Sequence, residues 1–190
     1  MKKSIALVMM AVLLVAASVM GTLAFLTSTA SVTNTFTVGK VAITLDEAAV
    51  DVYGAPIENA DRVSANKYKL IPGHEYTKDP TVHFAAGSEA SYLFVKVENG
   101  IAAIEADTTI ANQITAKGWT ALTGADGVYY KQVAANTSAA AIDYPVFETF
   151  KLDGEANVSL YADAEVKVTA YAIQADGFTD AAAAWTEVSK

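Results

Sequence analysis

The chain has 190 residues, of which 53% are hydrophobic and 18% charged, with 13 basic against 21 acidic side chains, a net charge of −8 and no cysteine. Such a balance speaks against nucleic-acid binding, because phosphates repel an acidic protein, and no basic stretch is present to hold an anionic membrane surface. Without cysteine there is no thiol catalysis, no thiolate metal site and no lipid attachment through sulfur.

Lys2 and Lys3 lead an apolar run from Ile5 to Met20, closed by Gly21-Thr22-Leu23-Ala24. A positive start, an apolar middle and small residues near the end define a secretory signal peptide. Thr22 and Ala24 place the cut between Ala24 and Phe25. The competing reading is an uncleaved anchor, since Ile5–Leu26, at 22 residues, is long enough to cross a bilayer. Removing residues 1–24 leaves 166 residues and takes Lys2 and Lys3 away, so 11 basic side chains face 21 acidic ones, a balance of −10. That length suits one domain with a real core. Trp185–Lys190 has no apolar tail, so membrane contact is expected only through an uncleaved signal.

Leu26, Ala30, Val32, Phe36 and Val38 share one strand parity, and Val41, Ile43 and Leu45 share the other. The flip at Gly39-Lys40 predicts a bulge or bend between two strand segments. Asp46–Asn66 is weakly patterned and reads as a loop or short excursion. Strands are predicted at Lys67–Ile71, Thr81–Ala85 and Ser91–Glu98, separated by turns at Pro72-Gly73 and Gly87–Ala90. Ile101, Ile104, Ile110 and Ile114 predict one short helix within Ile101–Lys117. Trp119–Leu122, Val128–Val133, Phe147–Leu152 and Ala164–Ile173 read as further strands, with Gly124–Gly127 as a tight turn. Ala134–Ile142 reads as a surface loop. A terminal helix is predicted over Phe178–Val188, capped by Thr179 or Asp180 and docked by Trp185. Many short strands with few helices predict a mainly β fold, a β-sandwich of jelly-roll type.

The chain contains only two histidines, His74 and His83. His74-Glu75 begins like the zinc motif H-E-x-x-H, but Lys78 stands where its second histidine belongs. His74 is expected as a solvated turn residue beside Pro72-Gly73. With both histidines placed near turns and no G-x-S-x-G, nothing suggests a serine triad. The pairs Asp126-Gly127, Asp153-Gly154 and Asp176-Gly177 are expected as tight turns, with calcium ligation as the alternative. Tyr92, Tyr129, Tyr130, Tyr161 and Tyr171 fit either a sugar-binding face or core packing. No catalytic residue, metal ligand or cofactor is predicted.

Three stretches in order carry a family likeness: Gly21–Phe25 continuing through Asn34–Leu45, Leu70–Val82 running to Ser91–Val97, and Ala170–Phe178 with Ala184-Trp185. Together they resemble the TasA–camelysin family of Gram-positive bacteria, whose signals are cut by a SipW-type signal peptidase. The resemblance implies a secreted jelly-roll domain at the cell surface that polymerises into biofilm matrix fibres, one subunit's N-terminal segment completing the sheet of the next. Members have also been called metallopeptidases, a label that the residues of this chain do not support. The expected organisation is a signal at 1–24, a donor strand with its hinge at 25–39 and a sandwich domain at 40–190. Leu26, Val32, Phe36 and Val38 are the expected inserted residues, and Gly39 is the expected hinge. Phe25–Val38 spans 14 residues, an extended reach of about 46 Å, against a domain diameter of about 40 Å. The segment is long enough to cross a neighbour, and equally able to be the first strand of its own sheet. The non-fibrous alternatives are a camelysin-like metallopeptidase and a monomeric glycan-binding domain.

Overall fold

The computed structural model describes residues 39–106 and 108–190. The expected signal helix, the cut at Ala24–Phe25 and the strand residues Leu26, Val32, Phe36 and Val38 lie outside the described residues. Within them run β1 (Ile43–Asp46), β2 (Glu75–Thr77), β3 (Thr81–Phe84), β4 (Ser91–Asn99), β5 (Thr120–Ala121), β6 (Val128–Val133), β7 (Ile142–Pro145), β8 (Thr149–Lys151) and β9 (Val166–Gln174). Two short helices, α1 (Ile110–Ala116) and α2 (Ala181–Val188), and 3-10 turns at Ala102–Ile104 and Val158–Tyr161 complete the set. Every strand pair is antiparallel, in three sheets ordered β1-β3-β7, β2-β8 and β5-β6-β4-β9. The fold is mainly β, as the short alternating runs predict.

All three sheets feed one core. Val82 and Phe84 enter from β3, Tyr76 and Phe150 from β2 and β8, and Leu93, Val95 and Val97 from β4, joined by Ile110, Ile114 and Trp119. β4 is apolar on both faces because both are covered. Its odd residues meet this core, while Tyr92 and Phe94 meet Ala181, Ala184 and Trp185 of α2. Leu93, Phe94 and Val95 are fully buried, each contributing roughly 1.5–3 kcal/mol.

Local chemistry sets the ends. Thr109 Oγ1 accepts Asn112 N–H at the start of α1, and Asp180 Oδ1 accepts Ala183 N–H at the start of α2. Asp180, one of the two expected caps, is therefore the working one. In the β5–β6 turn, Gly127 has φ +67°, and a Cβ there would lie 2.6 Å from Val97 O. Only glycine fits that approach.

Four expected elements are corrected. Lys67–Ile71 is not a strand. Tyr68 and Leu70 do turn inward, which produces the alternation, but the backbone is held by a side chain: the Tyr76 hydroxyl donates to Lys69 O and accepts from Ile71 N–H, both at 2.7 Å. The single helix of Ile101–Lys117 is divided into a 3-10 turn and α1. Trp119–Leu122 shrinks to β5, with Trp119 donating its Nε1–H to Pro145 O at 2.9 Å, and Phe147–Leu152 shrinks to β8, which pairs with the three residues of β2. β2 and β7 were not anticipated, and β7 takes Ile142 from the expected loop. β7 contains Pro145, which is tolerated because β7 is an edge with β3 as its one neighbour. Asp46–Asn66 is the expected excursion, tied down by isolated bridges Glu47–Val63 and Val50–Pro56.

Candidate functional site

Four strands end the two larger sheets: β1 and β7 in one, β5 and β9 in the other. They are unequal. β5 has two residues, β1 has four, and β7 has four including Asp143 and Pro145. β9 has nine residues, VKVTAYAIQ, with no proline or glycine and Lys167 as its one charge. Edges are normally guarded by shortness, charge or proline, and β9 is the least guarded. Among the described residues β9 pairs with β4 alone. None of its residues is fully buried, although Val166, Val168, Ala170 and Ala172 lie against the main core and Tyr171 and Ile173 against the α2 cluster.

β1 lies across from β9. Their Cα atoms come within 8 Å, with no ladder between them. Val41, Ile43 and Leu45 on this side are also only half-buried. The two edges thus form a seam along which the core is incompletely covered. Gly39, the expected hinge, is exposed at one end of it. A Cβ on Gly39 would sit 3.0 Å from Glu89 Cγ, so any other residue there would make the Glu89 side chain give way. Just after it, Lys40 O accepts Glu89 N–H and Ala42 O accepts Ala85 N–H, both at 2.9 Å. The chain is therefore anchored from Lys40 onward.

A charged cluster covers the outer face of the β1-β3-β7 sheet. Register places Thr44, His83 and Asp143 side by side. His83 is in β3, within the expected strand Thr81–Ala85. Its Nδ1 lies 2.6 Å from Asp143 Oδ1 and its Nε2 lies 2.9 Å from Asp46 Oδ1. Two carboxylates facing both nitrogens call for the imidazolium, the form that donates from each. Burial works to lower the His83 pKa, but the hydrogen bonds and charges of Asp46 and Asp143 outweigh it and raise it. Arg62 bonds Asp46 through Nε and reaches Asp79 Oδ2 through Nη1 at 2.9 Å. Burial would raise the Asp46 pKa, yet Arg62 and His83 together hold it below the usual value.

A second cluster lies beneath. Lys78 Nζ donates to Glu47 Oε2 at 2.6 Å, with Lys78 9% and Glu47 4% exposed. Asn66 Nδ2 donates to Glu47 Oε1 at 2.9 Å and to Ala48 O at 2.8 Å, while Asn66 Oδ1 accepts Val50 N–H at 3.0 Å. Tyr68 packs beside them, its hydroxyl donating to Thr77 O at 3.0 Å. Burial first, then the charges of Glu47 and Asp79, push the Tyr68 pKa up. Sequence reading missed this cluster. Lys78 drew notice only for occupying a histidine position.

The other expected candidates are placed as follows. His74 directly follows the Pro72-Gly73 turn and is half-buried: its ring stands edge-on to Tyr76, with centroids 4.5 Å apart, and Nε2 is 2.9 Å from Tyr53 O. Among the described residues no group of three histidine or acidic side chains is arranged to hold a metal ion. Asp153 works as a turn residue, its Oδ1 accepting Glu155 N–H at 2.7 Å, and Gly177 after Asp176 has φ +94°. The five tyrosines do not share a face. Tyr92, Tyr130 and Tyr171 join the α2 cluster, and Tyr129 and Tyr161 pack on the main core. Comparison with protein-family models, curated proteins and solved structures finds no match.

Proposed function

We propose that this chain is a secreted structural protein with a jelly-roll domain that polymerises head to tail into extracellular matrix fibres, the Phe25–Val38 strand of one copy adding to the β9 edge of the next. The observation that carries the reading is β9 itself, a nine-residue edge without proline, glycine or more than one charge. The resemblance of three stretches to the TasA–camelysin family supports the same role, with export through a SipW-type signal peptidase. No enzymatic activity is part of this role.

Physical chemistry sets the terms of the contact. Strand addition supplies main-chain hydrogen bonds along β9, and alternate side chains supply selectivity. Burying Leu26, Val32, Phe36 and Val38 would contribute roughly 1.5–3 kcal/mol each before ordering costs. The small Ala170 and Ala172 leave volume for such side chains. A strand paired to both β9 and β1 needs about 9.6 Å between them, twice the usual spacing, whereas the two approach within 8 Å. Seating a strand there therefore widens the seam and moves β1 outward. A contact of this head-to-tail kind does not close on itself, so it propagates as a filament.

The test is electron microscopy of the chain starting at Phe25, the chain starting at Lys40, and the longer chain carrying Ala170→Lys. Fibres are expected from the first alone, with the third folded and monomeric because an inward charge guards the edge. Fibres from the chain starting at Lys40, or monomers from all three, would overturn the proposal.

A further inference from the structure

We infer that Glu47, Asn66 and Lys78 form a self-modifying site, in which the Lys78 amine attacks the Asn66 side-chain amide to give a permanent Lys–Asn amide cross-link with release of ammonia. The site stands independently of fibre assembly.

The three side chains hold the roles that such a reaction needs. Lys78 is the nucleophile, confined by burial, with Nζ on Glu47 Oε2. Asn66 is the electrophile. Its Oδ1 accepts the Val50 N–H at 3.0 Å, and a backbone donor on that oxygen stabilises the negative charge that attack creates. Glu47 lies between the two, one oxygen on the attacking nitrogen and the other 2.9 Å from the leaving nitrogen, Nδ2. A carboxylate so placed can take a proton from one nitrogen and deliver it to the other. The amide orientation is consistent at each contact, since Nδ2 faces two acceptors and Oδ1 faces a donor.

The step balances without an oxidant or a metal. The Lys78 ammonium gives a proton to Glu47 along the contact between them, freeing the lone pair. Nζ then bonds to Asn66 Cγ, and the carbonyl electrons move to Oδ1. Glu47 delivers its proton to Nδ2 and takes one from Nζ. The Oδ1 electrons re-form the carbonyl, the Cγ–Nδ2 bond breaks, and ammonia leaves with the proton held by Glu47. The product joins Nζ to Cγ and restores the carboxylate. Holding both reacting groups on one carboxylate, Lys78 on Glu47 Oε2 and Asn66 on Oε1, substitutes for the high concentrations that amide exchange otherwise demands.

A simple ion pair braced by asparagine would have the same starting geometry, so the test reads the covalent product. Purified full-length chain, unfolded in denaturant and measured by intact mass, is expected to weigh one ammonia less than its sequence. Trypsin should fail to cut after Lys78 and should yield a branched peptide joining the segments of Asn66 and Lys78. Glu47→Ala, Lys78→Ala and Asn66→Ala should each restore the full sequence mass for their own composition. Wild-type protein at full mass, with normal cleavage after Lys78, would establish an ion pair only. An ammonia loss that persists in Lys78→Ala would assign it to chemistry of asparagine alone. Either result overturns the inference, and the first depends on no variant folding.

Discussion

Asp46 and Glu47 carry the same functional group on consecutive residues, and the end of β1 sends them to different surroundings. Asp46 faces out, 29% exposed in its side chain, among Arg62, His83 and Asp79. Glu47 faces in, 5% exposed in its side chain, against Lys78 and Asn66. The outer group exchanges bonds to water for bonds to protein at little net gain. The inner one has no water to return to, so its energy depends on the completeness of its partners. Position relative to the sheet therefore decides what each carboxylate does: the outer cluster responds to pH and salt, and the inner one holds chemistry.

The largest effect should come from breaking the inner pair. Glu47→Ala leaves Lys78 buried without its partner and also prevents the cross-link, so it should lower the unfolding free energy by at least about 3 kcal/mol, read from urea denaturation. The comparison sharpens with Glu47→Leu, Lys78→Met and the two combined. None of these three can form an amide bond, so all are compared uncross-linked. The double variant should be more stable than either single one, because an apolar pair costs less than one stranded charge. A double variant as unstable as the sum of the singles would show that the two residues act separately.

Outside, the effects are smaller and depend on pH. His83 has a raised folded pKa. Its stabilisation is therefore complete below the unfolded value of about 6.5 and is lost as pH rises through the folded value. Wild-type stability should decline over that alkaline step, and His83→Gln should flatten the decline in pH-resolved thermal melts. Asp46 behaves in the opposite sense: its lowered folded pKa gives stability above the unfolded value that is lost as pH falls through the folded one. Arg62→Ala should shift acid unfolding to higher pH while changing neutral stability by no more than about 1 kcal/mol. That smallest effect should shrink further in high salt.

The same contrast explains what the sequence disclosed. β4 was legible because SYLFVKVE is apolar on both faces and β9 because AEVKVTAYAI alternates over its length. Lys67–Ile71 misled because inward-facing Tyr68 and Leu70 produce strand alternation, while the pairing partner is the Tyr76 hydroxyl. β2 and β7 were illegible because three or four residues carry too little period, and Pro145 argues against a strand until the edge position is known. In the inner cluster, Glu47 and Lys78 are 31 residues apart and Glu47 and Asn66 are 19 apart. No local motif spans such distances: the Glu47–Val63 bridge brings in the Asn66 segment, and the β1–β3 pairing brings in Lys78 just before β3. The neighbours of Gly39, Glu89 and Gln174, came only with the fold.

That position of Gly39 has a mechanical consequence. It lies four residues before β1, and β1 runs antiparallel to β3 with Ile43 opposite Phe84 and Asp46 opposite Thr81. A pull applied to β1 from that side along the strand axis meets this pairing first. It loads the β1–β3 ladder in shear, with all four residue pairs resisting together, where a pull across the ladder would unzip them one at a time.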